Sequence, residues 1–200
     1  MTRFLAVRWW RPLILTLGCL LLIITCNHSN ATPTNAASNS SGTGSIPAAQ
    51  KTLKVATDPT FAPFEFQGPD GIIQGFDIDL INSIGQAAGF KVELQSMPFD
   101  GTIAALQASS VDAVISGMTI TEERLKTLDF SKPYIRAGLA IAIQETNKSI
   151  TKFADLNNKK IAVQIGTTGA NEAQKIPGAQ ISTFKTPSLA LQELANGNVD

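Results

Sequence analysis

The chain is poor in the residues that most often perform chemistry. Its only two cysteines are Cys19 and Cys26, so no disulfide framework or cysteine-based zinc site is available from residue 27 onward. His28 is the single histidine, which excludes His-dependent catalytic triads and multi-His metal sites. Charge of one sign is not in excess. Sixteen Lys+Arg balance sixteen Asp+Glu, giving a formal net charge of zero, whereas a nucleic-acid binder should carry a basic surplus. Charged residues make up 16% of the 200 residues and hydrophobic residues 44%, a globular composition rather than a disordered, collagenous or coiled-coil one.

What is present begins with an address. Arg3, Arg8 and Arg11 form a basic stretch ahead of the uncharged apolar run Pro12–Thr25. Its 14 residues fit the apolar core of a signal peptide and fall short of the roughly 20 needed to span a bilayer. Removing residues 1–25 takes away three arginines and no acid, leaving a net charge of −3. Ile23-Ile24-Thr25-Cys26 resembles the lipobox of bacterial lipoproteins, whose cysteine is lipidated, although Thr25 stands where Gly, Ala or Ser is usual. Plain cleavage near Asn35-Ala36-Ala37 is the alternative. Residues 26–50 are rich in Asn, Ser, Thr, Ala and Gly and read as a flexible tether, which suits an anchored Cys26.

From Lys51 the pattern changes to alternating strands and helices. Strands are expected at Leu53–Thr57, Lys91–Ser96, Val111–Ser116, Leu139–Ile143, Lys160–Ile165 and Gln180–Phe184. Phe76, Leu80, Ile81, Ile84 and Ala88 have helical spacing, with Gly89 as the stop. Further helices are expected at Thr102–Ser109, Glu122–Leu128, Thr168–Lys175 and Ser188–Ala195. Pro69-Asp70-Gly71 reads as a turn. This alternation argues for a parallel-rich α/β sheet. A weak internal echo relates Leu106–Asp112 to Leu194–Asp200. The first copy leads into the strand Ala113-Val114-Ile115, and the second ends where that strand would begin, so a longer natural chain is expected.

Two segments carry candidate chemistry. Ser116-Gly117-Met118-Thr119-Ile120-Thr121-Glu122-Glu123-Arg124 leaves the end of a buried strand, the usual place for ligands in open α/β sheets. Thr119 and Thr121 can cap the following helix, and Arg124 with free backbone N–H groups can clamp a carboxylate. Gly166-Thr167-Thr168-Gly169 repeats the strand-to-helix turn but lacks the glycine spacing and lysine of a phosphate loop. Asp58, Phe61 and Phe99 lie in loops at strand ends and suit the polar tip and apolar stem of a small ligand.

The run Gly75-Phe76-Asp77-Ile78-Asp79-Leu80, followed by Ile84-Gly85 and Ala88, resembles the signature of family 3 solute-binding proteins, the amino-acid receptors of bacterial ABC importers. Val55–Asp58, Phe61–Phe66, Thr119–Arg124, Asp129-Phe130-Ser131, Pro133-Tyr134 and Gly166-Thr167-Thr168 agree in order. The glutamine-binding members are most similar, with basic-amino-acid and histidine binders next. The resemblance implies an α/β, two-lobe periplasmic binding protein fold of type II, with the C-terminal part missing from this chain. It divides the chain into a signal peptide (1–25), a tether (26–50), lobe one (51–138, completed by a C-terminal return) and a truncated lobe two (139–200).

By the same resemblance, Arg124 grips the α-carboxylate with N–H groups of Thr119 and Thr168. The carbonyl of Gly117 or Ser116 and the Thr119 hydroxyl receive the α-ammonium, Phe61 and Phe99 pack the side chain, and Asp58 meets its polar end. Thr167 completes the second turn. Gln164 stands where glutamine binders commonly have Lys, and a further ammonium partner is expected just past Asp200. The implied partners are a free L-amino acid and an ABC permease in the cytoplasmic membrane, with the protein a monomer, lipid-anchored through Cys26 at the periplasm or cell surface. No cofactor, metal or nucleic acid is expected. The fold also serves periplasmic dehydratases and sensor kinases. An enzyme is not expected, because no histidine lies in the domain and Asp58 and Glu65 alone make no acid–base constellation.

Overall fold

The computed structural model describes residues 50–200. The leader, Cys26 and nearly all of the tether therefore lie outside the described residues. In chain order the elements are β1 (Thr52–Thr57), β2 (Thr60–Phe61), β3 (Glu65–Gln67), β4 (Ile73–Gln74), α1 (Phe76–Ala88), β5 (Lys91–Ser96), α2 (Phe99–Gln107) and β6 (Ala113–Val114). There follow β7 (Lys160–Gln164), α3 (Thr168–Ala173), β8 (Gln180–Phe184) and α4 (Pro187–Ala195).

Strand β1 is the centre of a parallel sheet of order β5-β1-β6. Its C-terminal half, Val55-Ala56-Thr57, is wholly buried rather than alternating, as expected of a central parallel strand covered on both faces. Pairing runs from Thr52 opposite Lys91 to Thr57 opposite Ser96, and Val55 sits opposite Ala113. A second parallel pair, β7 with β8, aligns Lys160 with Gln180 and Gln164 with Phe184. Both agree with the parallel-rich expectation. Between β1 and α1 the chain makes an antiparallel meander, β2-β3-β4, closed by the expected turn at Gly68–Ile72. Helix α1 then packs on β5, and α3 and α4 pack on β7.

Helix α1 runs from Gly75 to a left-handed stop at Gly89, φ 79°, as its spacing predicts. Its buried face differs from the expected one. Asp77, Ile78 and Gly85 are buried, while Phe76 and Ile84 are nearly half exposed. Gly85 is the physical reason. A Cβ there would stand 2.9 Å from the Phe90 carbonyl oxygen and 3.1 Å from Val92, so the bare backbone is what lets the helix lie against β5.

Four further elements depart from the sequence pattern. Helix α2 begins at Phe99, earlier than expected, because the carboxylate of Asp58 accepts the Phe99 N–H at 3.0 Å. That cap comes from 41 residues away, beyond any local signal. The strand expected at Val111–Ser116 keeps only Ala113–Val114 in the ladder, although the N–H groups of Asp112 and Ile115 still reach β1 carbonyls. The helix expected at Glu122–Leu128 is a single 3-10 turn, Arg124–Lys126. Leu139–Ile143 enters no ladder among the described residues. A strand needs a partner edge, and this segment instead borders a cavity beside β7.

The sequence echo is a structural repeat. Asp112 donates its N–H to the Lys54 carbonyl at 2.8 Å, and its carboxylate accepts the Lys54 N–H at 2.8 Å. Asp200 does the same with Lys160, at 2.9 and 2.8 Å. In each copy a helix ends through a left-handed residue, Ser109 (φ 55°) or Gly197 (φ 76°), and delivers its Asp to the start of a parallel strand.

Candidate functional site

The C-terminal ends of β1, β6 and β7 open onto one cavity of about 450 Å³. All ten residues singled out as ligand-binding border it: Asp58, Phe61, Phe99, Ser116, Gly117, Thr119, Arg124, Gln164, Thr167 and Thr168. Strand ends bring them together, as ligands require in open α/β sheets. Asp58 and Phe61 follow β1, Ser116 and Gly117 follow β6, and Gln164 closes β7.

Arg124 occupies a junction. Its guanidinium donates to the Thr119 carbonyl at 2.7 Å and to the Gly166 carbonyl at 3.1 Å, and it lies 5.8 Å from the centre of the Phe99 ring. The segment after β6 is thereby joined to the turn after β7. Two of its five N–H donors are used in this way. Burial lowers its pKa from the ordinary value, with Glu123 acting in the opposite direction. Arg124 opens one 3-10 turn rather than the expected helix. Neither Thr119 nor Thr121 is its N-cap residue, which is Glu123, although the Thr121 hydroxyl accepts the Arg124 N–H at 3.2 Å.

The turn after β7 is built for close approach. Gly166 has φ 79°, and a Cβ there would stand 3.1 Å from the Asp100 Cα. Thr167 caps α3 by accepting the Ala170 N–H at 3.2 Å. Nearby, Lys185 pairs with Asp100 at 2.5 Å. Asp58 is 4% exposed and its carboxylate already has three partners: the Thr60 hydroxyl at 2.8 Å, the Phe99 N–H at 3.0 Å and the Gln164 amide at 2.9 Å. Gln164 also donates to the Lys185 carbonyl at 3.0 Å. Asp58 and Gln164 therefore form a polar tie across the cavity.

Sequence reasoning missed a buried polar cluster beside these residues. Glu65 also borders the cavity and is 1% exposed. It accepts the Ser116 hydroxyl at 2.9 Å, and the Ser116 oxygen accepts the Asp58 N–H at 3.0 Å. Burial, with Asp77 and Asp58 nearby and against the Ser116 bond, pushes its pKa up to about 8. Asp77, fully buried, accepts the Gly117 N–H at 2.9 Å and the Tyr134 hydroxyl at 2.8 Å. Burial foremost, then Asp77, raises the Tyr134 pKa. The available signal was the alternation Phe64-Glu65-Phe66, which turns a carboxylate and two aromatics to opposite faces. Asp77 carried no such mark, since an acid in a first helical turn ordinarily faces water and complements the dipole.

Strand-end loops of α/β units that bring Arg124, Asp58 and Gln164 to one largely apolar cavity have the arrangement of a cleft-type binding protein. Residues 53–199 match the model of bacterial extracellular solute-binding proteins, family 3, and the chain belongs to that family. It is 36% identical over 180 residues to a probable histidine-binding protein of Campylobacter jejuni, covering 90% of this chain and 67% of that one. It is 33% identical over 151 residues to the L-cystine-binding protein TcyJ of Escherichia coli K12, covering 74% of this chain and 57% of that one. The structure of an ancestral arginine-binding protein bound to arginine is similar at a TM-score of 0.73 and 47% identity, over 74% of this chain and 67% of that one. The chain thus spans between 57% and 67% of the length of these proteins. The fold is the two-lobed type II periplasmic binding fold.

Proposed function

We propose that the chain forms the ligand-receiving cleft of the extracytoplasmic substrate-binding component of an ABC importer for polar or basic L-amino acids. One observation carries the reading: a single cavity gathers a guanidinium, two aromatic rings, a buried carboxylate and two strand-end turns. Arg124 grips the α-carboxylate, assisted by N–H groups of Thr119 and Thr168. Ser116, Gly117 and Thr119 receive the α-ammonium. Phe61 and Phe99 cover the aliphatic stem, and Asp58 with Gln164 meets the polar tip, the ligand taking over one partner from their mutual bond. Lobes 51–138 and 139–200 close on it. An amino-acid zwitterion is costly to strip of water unless each charge is paired, and Arg124, Asp58 and the strand-end turns supply such partners within a largely apolar cavity.

The relatives named for histidine, cystine and arginine support a ligand whose side chain ends in polar atoms. In this reading the protein is a monomer that hands its ligand to a permease and performs no chemistry on it. Cys26 anchors it by acylation at the periplasmic face or cell surface, which fatty-acid labelling lost in Cys26→Ser would show. The test of function is a thermal-shift screen over the twenty amino acids, followed by calorimetry. A ligand at 100 times its Kd stabilises by about 2.7 kcal/mol. Arginine, histidine or glutamine should raise the midpoint; no shift with any amino acid would overturn the proposal.

A further inference from the structure

Three side-chain oxygens in the described residues are buried without a hydrogen-bond partner: Oγ1 of Thr57, Oε2 of Glu65 and Oδ1 of Asp77. Two belong to carboxyl groups that lie in one cluster. Each of these groups has its other oxygen satisfied by donors from the protein. Orphaned buried carboxylate oxygens are rare and need a physical account. Two buried carboxylates side by side cannot both hold full charge, and sharing one proton is the ordinary resolution.

We infer that Glu65 and Asp77 hold one proton between them, Glu65 as the neutral acid donating through Oε2 to Oδ1 of Asp77, and that this acid is a positioning residue for the cavity. Donor geometry decides which group keeps the proton. Asp77 already accepts two donors, an amide N–H from Gly117 and a phenol O–H from Tyr134. Glu65 accepts only the Ser116 hydroxyl. One proton then accounts for two of the three unpartnered oxygens. It completes a chain from the Asp58 N–H through Ser116 and Glu65 to Asp77, Gly117 and Tyr134.

This chain joins four separate parts of the fold. Asp58 follows β1, Glu65 starts β3, Asp77 opens α1, and Ser116 and Gly117 follow β6. The groups facing Glu65 are Asp77 from α1, Asp58 from the loop after β1, Tyr134 and the Ser116 hydroxyl. Its hairpin neighbour β2 sets the non-ionising Phe61 opposite it. Losing the proton would place a second anion against Asp77 and Asp58 with nothing opposite to neutralise it. Ser116 and Gly117 would be released from their set positions at the cavity wall.

A carboxyl whose pKa is raised from 4.5 to about 8 on folding stabilises fully below 4.5, and that stability is lost as pH rises to about 8. Over that window one extra proton on the native state lowers the folding constant by up to about tenfold per pH unit. Infrared spectra of the ligand-free 200-residue chain should show a protonated carboxyl stretch at neutral pH that disappears as pH passes about 8. Glu65→Gln, whose amide can donate to Asp77 in the same way, should abolish the band, remain folded and flatten the pH dependence of stability. Glu65→Ala should not preserve the fold as well. Asp77→Asn is the second probe: an amide donor facing Glu65 should ionise it and remove the band. A wild-type spectrum without the band, a band that survives in Glu65→Gln, or identical pH profiles for Glu65→Gln and wild type would each overturn the inference. The readout needs no ligand, so its failure is separable from a failure to bind amino acids.

Discussion

Replacing Arg124 by alanine is the most direct perturbation of the proposed cleft. The change removes two charge-assisted hydrogen bonds, to the Thr119 and Gly166 carbonyls, and the guanidinium stacked near Phe99. Without ligand, those bonds compete with water at a half-buried site, so the folded chain should lose only about 1–2 kcal/mol. With ligand the loss is larger. An α-carboxylate held in a closed cleft would be left desolvated and unpaired, and breaking a buried pair costs about 3–5 kcal/mol. Affinity for the amino acid identified in the screen should therefore fall by roughly two to four orders of magnitude. Arg124→Lys separates charge from geometry. Lysine keeps the cation but cannot bridge two carbonyls while forking a carboxylate, so it should recover only part of the loss. Calorimetry at fixed ionic strength, beside denaturant unfolding of each variant, reads both quantities. Arg124→Ala binding within a few-fold of wild type, with the fold intact, would refute the carboxylate role.

Two further outcomes follow from backbone geometry. Ser109 is a non-glycine residue at φ 55°, where its counterpart in the echo is Gly197 at φ 76°. A left-handed L-residue costs about 1–2 kcal/mol, and glycine returns about 0.5–1 kcal/mol of that in chain entropy, so Ser109→Gly should stabilise by about 0.5–1 kcal/mol in urea unfolding. Equal or lower stability would count against the strain argument. Gly75 has φ 128°, and a Cβ there would stand 2.4 Å from the Phe64 carbonyl oxygen and 2.8 Å from that of Pro63. Those two carbonyls accept the Phe76 and Asp77 N–H groups that begin α1. Gly75→Ala should cost about 3 kcal/mol or more; a loss below 1 kcal/mol on the same assay would show that the hairpin and helix can part there cheaply.

Much of the fold was legible because its signals are local. The spacing from Phe76 to Ala88, the left-handed stop at Gly89 and the strands Lys91–Ser96 and Gln180–Phe184 are written in neighbouring residues. The failures share a different origin. Helix α2 starts at Phe99 because Asp58, far away in sequence, accepts its first N–H. The buried face of α1 turns on Gly85, whose importance lies in what it lacks. The site divides along the same line. Arg124, Asp58 and the two threonine-rich turns stand at strand ends, where position alone suggests ligands. Glu65 and Asp77 are ordinary in sequence and become chemically distinct only when folding buries both carboxyl groups in one cluster.

The repeat explains why the strand ends converge. At the start of each strand, an Asp from the end of a helix exchanges two hydrogen bonds with the backbone of a Lys: Asp112 with Lys54, and Asp200 with Lys160. The Asp contributes its own N–H and its carboxylate, so the clasp at Asp112 sets the register of β6, which follows it. Register matters because a slip of one residue sends every side chain to the opposite face. In the first copy, Asp112 locks β6 so that Val55 meets Ala113, and four residues beyond the clasp the chain reaches Ser116 at the cavity wall. Four residues beyond Lys54, just past the end of β1, stands Asp58, and on β7, four residues beyond Lys160, stands Gln164. The Asp58 carboxylate and the Gln164 amide then meet at 2.9 Å. In the first copy the clasp lies away from the cavity end of β1, whereas in the second Lys160 and Asp200 themselves border the cavity.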